Sequence, residues 1–136
     1  MPTLINSHTI VAQWLMTAGT SLYTLCGARV WWPDLPDAVV FDNTSPGIAF
    51  RADSETPTSA DEMLESHMMF ECFGGSANPA NAHAVWQAIY ARMQKASGTV
   101  AAGRLHTALF TRVRLATRTD KGWPLYAVEF DVTTHA

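Results

Sequence analysis

The chain is 136 residues long, 48% hydrophobic and only 15% charged, with a net charge of −3. That length predicts one domain that buries roughly two-thirds of its unfolded surface, enough for a core without disulfide or metal staples. The composition excludes a disordered chain, and the acidic balance argues against general nucleic-acid affinity through a basic field.

Taken in chain order, Ser7 is placed as an N-cap, and Ile10, Val11, Trp14, Leu15 and Ala18 recur at helical spacing up to Gly19. A helix over roughly 7–18 is predicted. Between Gly27 and Gly47 three prolines, Pro33, Pro36 and Pro46, limit regular structure to a short strand around Val39–Phe41, with another strand at Ile48–Ala52. The polar run SETPTSADE (54–62) predicts a long exposed loop. MLESHMMFECF follows with Leu64, Ser66, Met68, Phe70 and Cys72 on one face and Glu65, His67 and Glu71 on the other, the period of a half-buried strand. Asn78-Pro79 opens a helix of about 79–96, which carries Ala82, Trp86, Ile89, Tyr90 and Met93 on one side. Gly98 and Gly103 bracket a small loop.

The last third predicts a hairpin. LFTRVRLATR sets Val113 and Leu115 against Arg112, Arg114 and Arg118, and YAVEFDV sets Tyr126, Val128, Phe130 and Val132 against Glu129 and Asp131. A two-residue turn at Lys121-Gly122 places Arg114 opposite Glu129 and Arg112 opposite Asp131, so that charges meet charges and apolar residues meet apolar ones. The fold class is therefore α+β, a mainly antiparallel β-sheet with two helices packed on one face, in a single domain over 1–136.

Charge is segregated along the chain. Residues 1–50 carry −2, residues 51–71 carry −5, and residues 72–136 carry +4. An acidic middle and a basic end favour head-to-tail contact between copies, the alternative being that both are solvated faces or that the charges neutralise each other within one chain. Arg51, Asp53, Glu55, Asp61, Glu62, Arg112, Arg114 and Arg118 are the candidate interface charges, and Trp31 and Trp32 the candidate anchors beside them.

No P-loop, GxGxxG, HExxH or GxSxG signature occurs. Glu65, His67 and Glu71 share a strand face and offer metal-ligand chemistry, but such spacing arises by chance on any polar face, so no metal, other cofactor or catalytic residue is assigned. An arginine stripe could meet nucleic acid, yet Glu129 and Asp131 beside it favour ion pairing within the sheet, and no sequence-specific nucleic-acid partner is expected. Cys26 and Cys72 form no CxxC pair. The apolar runs are too short to span a bilayer, and no basic n-region precedes Arg29. Folding in a cytoplasm without a membrane partner is the expectation.

The element order, with the segments ARVWWPDLP, IAFRADSETPTSADEMLESHMMFECF, ANAHAVWQAIYARMQ, GRLHTALFTRVRL and WPLYAVEFDV, resembles the tail-completion or tail-terminator neck proteins of long-tailed bacteriophages over nearly the whole chain. The segment DAVVFDNTSPG departs from that pattern by its length and irregularity. The resemblance implies a non-enzymatic virion protein. Such a protein forms a ring, typically a hexamer, on the tail tube, ends tube polymerisation and meets the head-completion or connector proteins. A head-closure role one ring higher is the nearest alternative. A small α+β enzyme or ligand-binding domain built on His67, Glu65 and Glu71 is the alternative from another class.

Overall fold

The centre of the sheet is made by two strands far apart in sequence. The computed structural model describes residues 5–37, 40–57, 63–118 and 121–136. Three helices, α1 (Ser7–Leu15), α2 (Ser21–Cys26) and α3 (Pro79–Met93), accompany six strands: β1 (Val30–Trp31), β2 (Gly47–Pro57), β3 (Leu64–Phe73), β4 (Gly98–Val100), β5 (Gly103–Arg118) and β6 (Trp123–His135). They form one sheet in the order β1-β2-β3-β6-β5-β4, antiparallel except for β1 against β2. The α+β class is thus as expected, with one more helix than the sequence suggests.

Asn6, not Ser7, caps α1, its side chain accepting the Thr9 N–H at 3.0 Å. The helix stops at Leu15, three residues early, because the Thr17 hydroxyl takes the Gln13 and Trp14 carbonyls and Gly19 turns at φ 86°. Thr20 then caps α2. The expected strand around Val39–Phe41 is not found: Val39 lies outside the described residues, and the Val40 and Phe41 N–H groups close a turn on the Asp37 carbonyl. Val30–Trp31 supplies the edge strand instead. The loop expected over 54–62 is also corrected. Ser54–Pro57 continue β2 opposite Leu64–His67 past a bulge at Asp53, and residues 58–62, with Asp61 and Glu62, lie outside the described residues. α3 ends at Met93, and the 98–103 loop is instead β4 turning tightly into β5.

Helices cover one face of the sheet. Ile10, Val11 and Leu15 of α1 and Val85, Ile89 and Met93 of α3 are buried against Phe50, Met68, Phe70, Val128 and Phe130. Trp86 and Tyr90 sit at the margin of this core, ringed around Phe110. A run of Phe rings crosses the sheet, Phe50–Phe70 at 5.3 Å, Phe70–Phe130 at 5.8 Å and Phe130–Phe110 at 5.8 Å. On the opposite face a second, smaller core gathers Phe41, Phe73, Leu125 and Ala127 under the proline-rich segment, with Trp31 and Trp123 beside them. Cys26 and Cys72 are both free and buried. Burial pushes the Cys26 thiol up to about 12 and the Cys72 thiol well above its usual range, which leaves both unreactive.

Phe130 touches rings from both neighbouring strands and is fully buried. Phe130→Ala is expected to lower unfolding free energy by about 3–5 kcal/mol, measured by urea denaturation. A loss below about 1 kcal/mol would show that the Phe row does not organise this core.

Candidate functional site

The period-two pattern of each central strand sends its other residues to the face away from α1 and α3. Arg51 and Asp53 of β2, His67, Met69 and Glu71 of β3, Glu129 and Asp131 of β6, and Arg112, Arg114 and Arg118 of β5 all reach this open face. The register decides who meets whom. Arg51 stands opposite Met69, Met69 opposite Glu129, and Glu129 opposite Arg112, while His67 stands opposite Asp131.

Arg112 therefore faces Glu129, not Asp131, and Arg114 faces Ala127, not Glu129. The parity of the expected hairpin is right, but its register is displaced by two. The turn spans four residues, with the Lys121 and Gly122 N–H groups both directed at the Arg118 carbonyl. A bulge at Thr111 shifts the strand again.

At the centre lies a network of charges. Glu129 is 6% exposed in its side chain, a burial that an ionised carboxylate tolerates only with partners. One oxygen accepts from Arg112, and the other lies 2.8 Å from His67 Nε2. His67 Nδ1 lies 2.8 Å from Asp131. Arg112 first, and His67 second, hold the Glu129 carboxyl below its ordinary 4.5. The bonds to Asp131 and then Glu129 raise His67 above 6.5. Around this centre Arg51 pairs with Asp53 at 3.4 Å and Glu71 at 3.7 Å, and Arg118 reaches Asp34 at 3.1 Å. Burial raises Glu71 despite the arginines near it.

The structure brings together Arg51, Asp53, Arg112, Arg114 and Arg118 on this one face. Glu55 goes elsewhere: past the bulge it turns to the helix side, where one oxygen accepts from Ser7 at 2.7 Å and Ser66 at 3.2 Å. Trp31 packs on Phe41 at 4.9 Å in the second core, whereas Trp32 is 39% exposed. Glu65 and Glu71 are not the carboxylates that gather at His67. Asp53 and Glu129 are, with ligating atoms of all three within 4.8 Å of one another. These are groups that could hold a metal ion, but both imidazole nitrogens are already bonded to carboxylates and Arg112 occupies the other side of Glu129. The arrangement reads as a charge network tying β3, β5 and β6 together.

Sequence reasoning missed Glu129 and Asp131 as partners of His67. Their odd positions on an alternating strand were the available signal, and only the β3–β6 pairing brings them to His67. Below this network a shallow depression of about 400 Å³ is lined by Ser54, Thr107, Leu109, Asp131 and Thr133.

The opposite pKa directions set a pH window. The raised His67 contributes stability fully below about 6.5 and loses it as pH rises through its folded value. The depressed Glu129 contributes above about 4.5 and loses it as pH falls. The Tm deficit of His67→Ala relative to the native chain should be greatest near pH ~5.5 and shrink toward pH ~9. A deficit independent of pH would remove the network from the account of stability.

No protein-family model and no curated protein matches the chain. Among solved structures, it is similar to a chain of the "virion of native gene transfer agent (GTA) particle", with a TM-score of 0.70 at 17% identity over 96% of this chain and 95% of that one. At that identity the likeness is one of fold, and it extends from end to end of both chains.

Proposed function

We propose that this protein is a structural subunit of a phage-like virion that acts by assembly. In the finer form of this reading, it forms a ring, six copies in the family that its sequence resembles, on the head-proximal end of the tail tube. There it stops tube polymerisation and offers a surface to head-completion proteins. The observation that carries the reading is the end-to-end fold likeness to a chain of the gene transfer agent virion. It is supported by a resemblance over nearly the whole sequence and by a charge network whose members are committed to one another rather than poised for catalysis.

The open face suits such a role. Away from the second core it is polar and rich in both signs of charge, which favours specific, salt-sensitive contact over irreversible hydrophobic association. Trp32, 39% exposed and packed on Phe50 at 5.9 Å on the helix side of the sheet, is an aromatic of the kind that anchors contacts elsewhere on the surface.

Tails assembled without the protein, viewed by electron microscopy, test this directly. Overlong tubes are expected, and added protein should restore a uniform length and appear as a ring at one tube end. Tubes of normal length that fail to join heads would assign the head-closure role instead. Tubes and heads that join normally without the protein would overturn the reading.

A further inference from the structure

The outer side of β5, the longest strand, is only partly covered. β4 lies along it at Gly103, Arg104 and Leu105. Beyond that, the Lys95 N–H donates to the Ala108 carbonyl at 2.8 Å and the Gln94 side chain accepts the Phe110 N–H at 2.7 Å, so the edge is capped as far as Phe110. Along residues 112–117 no strand borders it among the described residues. Unpaired backbone N–H and C=O groups on such an edge are a template for an added strand.

The two sides of this edge differ in chemistry. On the helix side Val113 and Leu115 stand opposite Val128 and Tyr126, and Leu115 is 55% exposed. At the same margin α3 presents Trp86 and Tyr90 around Phe110, with Tyr90 39% exposed. Together they make an apolar shelf beside the edge. On the open side the edge carries Arg112, whose side chain is 70% exposed, and Arg114, which is exposed and forms no ion pair among the described residues. A strand added here alternates its side chains between these two surroundings, so apolar residues would meet the shelf and acidic residues the arginines.

Among its described residues the chain has no such strand to spare. Its alternating acidic and apolar strands, β3 with Glu65 and Glu71 and β6 with Glu129 and Asp131, are each paired on both sides within the sheet. On β2, Asp53 pairs with Arg51, and Glu55 turns to the helix side, where Ser7 and Ser66 hold it. A second β5 edge added antiparallel would bring its own Arg112 and Arg114 onto the same open face, like charge against like. We propose that residues 112–117 of β5 take up, as an added strand, an extended segment of a different protein in which acidic and apolar residues alternate. In such recognition the backbone pairing supplies affinity and the alternate side chains supply specificity. It rests on the reading of the chain as an assembly subunit and names the kind of segment through which a partner joins it.

Titration of the full chain with a heptapeptide alternating valine and glutamate, read by calorimetry and by hydrogen exchange, tests it. Saturable binding is expected, with the amides of 112–117 gaining protection, and the same peptide with lysine for glutamate should bind about tenfold more weakly. Arg114→Glu, a substitution at an exposed side chain, should reverse that preference with far-ultraviolet circular dichroism unchanged. A peptide with proline at its centre, which lacks an N–H for the pairing, should leave 112–117 unprotected. Absence of binding, equal affinity for the two charged peptides, or binding of the glutamate peptide that leaves 112–117 unprotected would overturn the edge. None of these touches the virion reading, which the tail experiment decides without any peptide. Protection of 112–117 that appears without peptide as the chain is concentrated would assign the edge to a second copy and likewise refute the proposal. Peptide binding as expected, with tails and heads that join normally without the protein, would support the edge and overturn the virion role alone.

Discussion

The pairing of β3 with β6 governs what every other part of the sheet can do. It runs unbroken from Leu64 opposite Thr134 to Phe73 opposite Leu125, between segments separated by a helix and a long strand. Because side chains alternate faces along a strand, this one register assigns Met68, Phe70, Val128 and Phe130 to the helices and His67, Glu129 and Asp131 to the open face. A slip of one residue would drive Glu129 and Asp131 into α3 and turn two phenylalanines outward. The cost of either error is several buried groups at once, so the register is held from both faces.

The open face shows how a buried carboxylate is made tolerable beside a sheet. Glu129 is enclosed by β3 and β5, and its carboxylate is met by the Arg112 guanidinium on one side and the His67 imidazole on the other. Asp131 in turn holds the second nitrogen of that imidazole. Three strands thereby share one electrostatic unit. This bears on function in two ways: the face stays polar and available for contact, and its histidine is not poised as a free base. The second core around Phe41 closes one end of the same face.

Alternation made β3 and the β5–β6 hairpin legible, and Asn78-Pro79 announced α3, because those signals act between residues close in sequence. What escaped depended on distant partners or on irregularities that local pattern does not encode. The strand at Val30–Trp31 is only two residues long and exists because Ile48 and Ala49 receive it. Ser54–Pro57 has the composition of a loop but is held straight by Leu64–His67. The hairpin's parity followed from its charges, whereas its register depended on a four-residue turn and a bulge at Thr111 that leave no mark on the alternation. His67 was singled out with the wrong companions for the same reason: neighbours on its own strand are visible in sequence, and those across it are not.

A low charge density combined with segregated signs has a physical consequence once the fold is in view. Of the acidic stretch, Asp53 and Glu55 lie on β2 and Glu65 and Glu71 on β3, while Arg112, Arg114 and Arg118 lie on β5. The sheet brings the two signs together within one subunit: Arg51 pairs with Asp53 and Glu71, Arg112 with Glu129, and Arg118 reaches Asp34. Contacts made through so polar a face are screened by salt and therefore reversible.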